Sequence, residues 1–206
     1  MQHFATYKEV PASGDKYFND GYSKAYFTTV YPNAVNQIQE VIQAVSENPE
    51  DVNKLSVARI WRVYIFHRIT DLYGDIPYSE AGKGNSDKIY TPRYDEQSFI
   101  YRDLLQELEE AANALDPAQP TFGTADLIYD GSVDQWRKFA YSLMLRLGMR
   151  LTNVDGELAE TWVRKAIEGG VFVDNGDIAN IDYVDGSQVD SRNPIATGLM
   201  NGDYID

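Results

Sequence analysis

Leu55-Ser56-Val57-Ala58-Arg59-Ile60-Trp61-Arg62-Val63-Tyr64-Ile65-Phe66-His67-Arg68-Ile69-Thr70-Asp71-Leu72 is the run on which the architecture turns. It predicts a helix over about 52–72. Leu55, Ala58, Ile60, Trp61, Tyr64, Ile65, Ile69 and Leu72 cover more than one helical face. A helix that is apolar on most sides sits at the centre of a fold. Gly74 follows where a C-terminal glycine ends a helix.

Upstream, Val35, Ile38, Ile42 and Val45 recur at spacings of three and four, predicting a helix over about 23–46. Pro32 breaks or kinks its early part, and Asn48-Pro49 ends it. Residues before about 21 read as an irregular lead-in.

Downstream, Tyr73 to Tyr94 is a long irregular connection holding Pro77, Gly82, Gly84 and Pro92. Connections of that length are uncommon and often functional. Asp95 is a good N-cap for a helix of about 96–115. Its stripe is Ile100, Leu104, Leu108, Ala111 and Leu115. Glu107, Glu109 and Glu110 fall mostly off the stripe and read as a solvated face. After an irregular stretch over 117–131, Ser132 and Gln135 form a capping box. The helix it opens runs to about 151 on Trp136, Phe139, Ala140, Leu143, Leu147 and Leu151. A short helix from about Glu157 carries Trp162, Val163, Ala166 and Ile167, and Gly169-Gly170 stops it.

The sum is an all-α body of about five helices over residues 22–170. It is a tetratricopeptide-like scaffold of helical hairpins with long irregular loops. No clean repeat and no W-x2-L-G-x2-Y signature underlies it. Residues 171–206 are an irregular, loop-rich tail, and the ending at Asp206 has the texture of an interrupted chain.

The 206 residues carry a formal net charge of -14 and no cysteine. That balance argues against nucleic acid as a partner, which needs clustered Lys and Arg. Disulfides, thiolate metal sites and cysteine nucleophiles are excluded. The apolar stretch around Ile60–Ile69 is interrupted by Arg62, His67 and Arg68, so it does not span a membrane. Met1-Gln2-His3-Phe4-Ala5 has neither the basic nor the apolar region of a signal peptide. Either the protein is cytoplasmic or its targeting segment lies outside this sequence.

His3 and His67 are far apart and fit no zinc spacing. Asp174, Asn175, Asp177, Asp182, Asp185 and Asp190 supply oxygens at close spacing without matching a calcium-binding EF-hand. Calcium is therefore the one ion to consider, against a solvated acidic loop as the default. Gly82-Lys83-Gly84 lacks the rest of a phosphate loop. Ser13-Gly14-Asp15-Lys16 lacks the companion motifs of a serine hydrolase. No carboxylate pair stands out for glycoside hydrolysis, so catalytic residues are expected to be none.

The aromatic content is high, with 15 Tyr, 8 Phe and 3 Trp. Aromatic faces pack on the C–H faces of sugars, and Asp, Asn and Arg bond the hydroxyls. Trp61, Trp136 and Trp162 lie on helical stripes and read as core. Tyr17, Phe18, Tyr22, Tyr73, Tyr78, Tyr90 and Tyr94 lie in loops, where they suit a glycan platform.

Three segments together are more specific. One is Arg68-Ile69-Thr70-Asp71-Leu72-Tyr73-Gly74-Asp75-Ile76-Pro77-Tyr78-Ser79-Glu80-Ala81. Another is Pro92-Arg93-Tyr94-Asp95-Glu96-Gln97-Ser98-Phe99-Ile100-Tyr101. The third is Asp126-Leu127-Ile128-Tyr129-Asp130-Gly131, followed by Trp136-Arg137-Lys138-Phe139-Ala140-Tyr141-Ser142-Leu143. In this order the chain resembles the SusD/RagB family of nutrient-binding outer-membrane lipoproteins, over about residues 20–170.

The resemblance implies a non-catalytic, surface-exposed lipoprotein of the cell outer membrane that binds oligosaccharide or sometimes peptide. It implies a SusC-like TonB-dependent transporter as partner, with the membrane reached only through a lipid anchor that this sequence does not carry. It also implies that the chain is a piece of a longer protein, a partial SusD-like domain. Tyr17, Asp20, Tyr22, Tyr26 and Tyr78 are the ligand-binding candidates. The quoted motifs themselves are expected to maintain the fold, with Trp136 and Phe139 locking the fourth helix on the second. The alternative is a helical-repeat adaptor that takes a protein or peptide in a concave groove.

Overall fold

The computed structural model describes residues 20–181. Phe27–Asn180 forms one compact unit, and residues 20–26 and 181 are the described part of a second. The α-helices are α1 (Asp20–Val30), α2 (Asn36–Ser46), α3 (Val52–Tyr73), α4 (Gln97–Ala114), α5 (Val133–Arg150) and α6 (Gly156–Gly169). The scaffold is all-α, as expected.

The expected first helix is two, α1 and α2, joined by a π-turn over Tyr31–Val35 with Pro32 at its start. Proline has no N–H for the α-helical ladder and its ring crowds the preceding turn. The chain absorbs this by widening one turn, and Asn36 N–H reaches back to the Tyr31 carbonyl. The helical path thus continues through Pro32.

The later helices stack as hairpins. Asp71 near the end of α3 meets Tyr101 near the start of α4. Arg59, early in α3, meets Glu110 near the end of α4 at 2.6 Å. The two helices are therefore antiparallel. Arg137 of α5 donates to the Leu115 carbonyl just past α4 at 2.7 Å, which reverses direction again. Tyr141 of α5 lies against Gly169 at the end of α6, where a Cβ would fall 2.3 Å from the ring. Only glycine admits that approach.

The core is built from Ile60, Val63, Phe66 and Ile69 of α3, Ile100, Leu104, Leu105 and Leu108 of α4, and Ala140, Met144 and Leu147 of α5. Burying each large side chain contributes on the order of 1.5–3 kcal/mol before entropy is subtracted. Trp61 and Tyr64 of α3 meet Trp136 and Phe139 of α5 at ring-centroid distances of 6.1–6.3 Å. That aromatic seam is the expected lock. Leu72, in the last turn of α3, departs from its apolar neighbours and is 61% exposed.

Two expected caps differ. Asp95 does not cap α4; its carboxylate accepts the Ser79 N–H at 2.7 Å. The first turn of α4 is capped from across the loop, where Asp75 accepts the Gln97 N–H at 2.9 Å. Ser132 does accept from Gln135 N–H at 3.4 Å. The Gln135 amide donates to the Gly176 carbonyl at 3.1 Å instead of closing the box.

The acidic run of α4 is a solvated face only at Glu110, which is exposed and reaches Arg59. Glu107 is 11% exposed and ion-paired with Arg62 and Arg59 of α3. Glu109 pairs with Lys165 of α6 at 2.8 Å. These anions lie between helices, where each finds a cation supplied by a neighbour.

Asn53, also buried, holds the loop after α4. Its amide donates to the carbonyls of Asp116 and Gln119 at 2.7 and 2.8 Å, and its oxygen accepts the Asp116 N–H at 2.8 Å.

Candidate functional site

The connection after α3 is a wired loop. Gly74 leaves the helix at φ 75°, in the left-handed region that glycine adopts without strain. β1 (Ile76–Pro77) and β2 (Tyr94–Asp95) then pair antiparallel, Ile76 opposite Asp95 and Pro77 opposite Tyr94. Tyr31 donates to the Pro77 carbonyl at 2.7 Å, and Gln39 to the Ala81 carbonyl at 3.3 Å. Glu80 accepts the Arg93 N–H at 3.0 Å. The long excursion is thereby fastened to the π-turn, to α2 and to itself.

Tyr78 is 1% exposed. Its hydroxyl donates to Asp103 at 2.5 Å and accepts from Arg62 at 3.0 Å. Burial pushes its phenol well above the ordinary tyrosine range, so it remains a donor. Its ring lies edge-on to Phe66 and under the Arg62 guanidinium. In this arrangement Tyr78 presents no surface to a ligand; it pins the loop to the body.

Of the other candidates, Tyr17 lies outside the described residues, and nothing is described of the Tyr22 side chain beyond its place in α1. Asp20 opens α1, is exposed and pairs with Lys24 at 2.9 Å. Tyr26, on the same helix, is half-buried.

Among the calcium-site residues, Asp182, Asp185 and Asp190 lie outside the described residues. Asp177 is buried and committed to Lys138 at 2.6 Å and to the Val173 N–H at 2.9 Å. Asp174 accepts the Gly176 N–H. Among the described residues no group of three or more His, Asp or Glu side chains is placed to hold a metal ion. His67 is buried in α3 with Nδ1 at 3.3 Å from the Val63 carbonyl, a packed position.

Among the described residues, two concave surfaces with exposed side chains stand out. The larger, of about 450 Å³, lies where α3 and α5 end and α4 and α6 begin, and includes Asp71, Tyr101, Arg102, Arg150, Val154 and Asp155. Arg150 pairs with Asp71 at 3.0 Å and Arg102 with Asp155 at 2.9 Å. Tyr101 donates to Asp71, and Asp155 caps α6 at the Leu158 N–H. The carboxylates here are engaged with protein partners, so the cleft works as an ionic latch between hairpins.

The smaller, of about 340 Å³, is lined by Arg93, Tyr94, Asp95, Glu96 and Phe99. Tyr94 is 63% and Phe99 47% exposed, with Tyr90 nearby in sequence at 75%. Tyr90 and Tyr94 stand among the loop aromatics expected to suit a glycan. Phe99 does not, although its place off the α4 stripe is a legible signal: an aromatic that is not needed for the core.

A stack of helical hairpins carrying a long pinned loop with bare aromatic rings defines a binding scaffold. The chain belongs to the SusD-like family described as starch-binding and associating with the outer membrane, with the match covering residues 1–199. No curated protein matches it. Among solved structures it is similar to a chitin-binding protein at 34% identity and TM-score 0.75, covering 81% of this chain and 35% of that one. It is similar to a chitin-binding SusD homolog from Flavobacterium johnsoniae at 28% identity and TM-score 0.70, covering 84% and 35%. A SusD homolog from Parabacteroides distasonis matches at 26% identity and TM-score 0.78, covering 91% and 37%. The chain thus spans little more than a third of the length of these relatives.

Proposed function

We propose that this chain is part of a non-catalytic glycan-binding protein at the outer-membrane surface, one that hands oligosaccharide to a SusC-like TonB-dependent transporter. The observation that carries the reading is the family match over residues 1–199, described as starch-binding and associating with the outer membrane. Two structural neighbours that share its scaffold are chitin-binding. The exposed rings of the loop are of the right chemical type for sugar C–H faces. Capture rather than turnover is also favoured by the engagement of Asp71 and Asp155 in ion pairs rather than as a free acid and base.

Attachment through a lipid anchor belongs to the same reading. No helix among the described residues is long and apolar enough to cross a membrane.

The test is isothermal titration of the protein, as its cell makes it, with malto- and chito-oligosaccharides, alongside co-purification from solubilised outer membranes. Saturable binding of one glycan class without hydrolysis, with a barrel transporter co-purifying, is the expected result. Peptide binding with indifference to both glycans would replace this reading by the adaptor.

A further inference from the structure

Among the residues whose exposure is described, the exposed aromatic rings are Tyr90, Tyr94 and Phe99, all in the last part of one loop and the turn it enters. Two of them are held by fixed elements. Tyr94 lies on β2, opposite Pro77. Phe99 is in the first turn of α4, its ring edge-on to the buried Tyr78 ring at 6.4 Å and 74°. Between them in sequence stand Asp95 and Glu96. Arg93 comes just before, with its guanidinium 3.3 Å from Asp95 and 3.8 Å from Glu80. The Arg93 side chain nevertheless stays 67% exposed.

We propose that Tyr94 and Phe99 form a stacking surface for the pyranose rings of a neutral oligosaccharide, with Arg93 and Glu96 bonding its hydroxyls. This rests on the glycan reading above and gives that reading a place on the chain. Each feature of the surface selects for such a ligand. A pyranose offers an apolar C–H face and a rim of hydroxyls, and needs flat rings and paired donors and acceptors in one small space. A guanidinium has five N–H donors, and the two carboxylates beside Arg93 do not use all of them. Glu96 is exposed and accepts. The core of a protein–protein interface is depleted in charge, whereas here charged groups alternate with the rings.

The local balance also chooses the kind of sugar. Glu80 and Asp95 flank a single guanidinium, with Glu96 next in sequence, within a chain of net charge -14. An acidic sugar is repelled from that field, so the ligand is uncharged. The rings are preorganised by β-pairing and by Tyr78, which reduces the ordering cost of binding.

The experiment titrates maltoheptaose and chitohexaose into the protein as its cell makes it, and into Tyr94→Ala, Tyr94→Leu, Tyr94→Phe and Phe99→Ala variants. Tyr94→Ala is expected to weaken the bound glycan about tenfold, the order of one stacked ring with its contact area. Tyr94→Phe keeps the flat face and is expected to bind like wild type. Tyr94→Leu keeps apolar bulk without a flat face; it is expected to bind as weakly as Tyr94→Ala, and it stands in if Tyr94→Ala alters melting.

Wild-type affinity in Tyr94→Ala, Tyr94→Leu and Phe99→Ala overturns this inference while leaving the glycan reading intact. A wild-type protein that binds neither glycan overturns both. Variants that keep glycan affinity but lose the co-purifying transporter make this a protein interface, which also overturns the inference.

Discussion

The indole N–H of Trp136 donates to Oδ2 of Asp126 at 2.5 Å. The same carboxylate accepts the backbone N–H groups of Ile128, Tyr129 and Gly131. One side chain thus closes the turn before α5 and fixes the buried Trp136 ring, which meets Trp61 of α3 edge-on at 6.3 Å and 89°. The Asp126–Gly131 segment and Trp136, sequence neighbours in the family resemblance, are one mechanical part.

Trp136→Ala is expected to destabilise the fold by about 3–5 kcal/mol, the cost of emptying a large aromatic site. Trp136→Phe should cost less, because it refills part of the space while leaving Asp126 without its indole donor. Urea unfolding of both variants measures this, and an unchanged midpoint for Trp136→Ala would remove the ring from the core.

The two aspartates flanking the hairpin strands separate by role. Asp75→Ala should remove the cap of α4 and cost about 1 kcal/mol. Asp95→Ala should leave the helix start alone and free the Ser79 N–H and the Arg93 guanidinium. Amide exchange resolves the two: Gln97 should exchange faster in the first variant and Ser79 in the second. Faster Gln97 exchange in Asp95→Ala alone would restore Asp95 as the cap.

Glu107 and Arg62 are 11% and 12% exposed and ion-paired between α3 and α4. Burial raises the Glu107 carboxyl above its usual range, against the pull of Arg62 and Arg59. Glu107→Ala leaves the buried Arg62 with the Tyr78 hydroxyl but without its ion-pair partner, which should cost about 3–5 kcal/mol. Joining Arg62→Met to Glu107→Leu should recover much of that loss. A Glu107→Ala protein as stable as wild type by denaturant titration would place the pair in solvent.

Asp177 gives the fold an acid limb. The Lys138 ammonium, followed by the Val173 N–H, holds its carboxyl below the usual carboxylate range. A depressed folded-state value adds stability that is present above the unfolded-state pKa of about 4. That stability is lost as pH falls through the lower folded-state value. Melting followed from neutral pH downward should therefore fall less steeply in Asp177→Asn than in wild type. Parallel acid limbs would contradict the linkage.

Much of this was legible along the chain. The centrality of α3 follows from apolar residues on most of its faces. The ends of α3 and α6 follow from glycines, and the Trp61–Trp136–Phe139 seam from large rings on two stripes. Periodicity and backbone preference are local properties, so adjacent residues suffice to state them. The family resemblance rested on three such segments, and the match over residues 1–199 bears it out.

Other features needed the partners that folding brings together. Charge pattern alone puts Glu107 in water; burial against Arg62 requires α3 to lie antiparallel to α4. Asp95 precedes α4 as a cap should, yet β-pairing turns it to Ser79 and delivers Asp75, more than twenty residues upstream, to the Gln97 N–H. Tyr78 reads as a loop aromatic until Asp103 and Arg62 close on its hydroxyl, while Tyr94 and Phe99 remain bare. Helices, breaks and capping preferences come from neighbours in sequence. Which charge is buried, which cap is used and which ring faces the solvent depends on contacts between distant segments, and those exist only once the hairpins have packed.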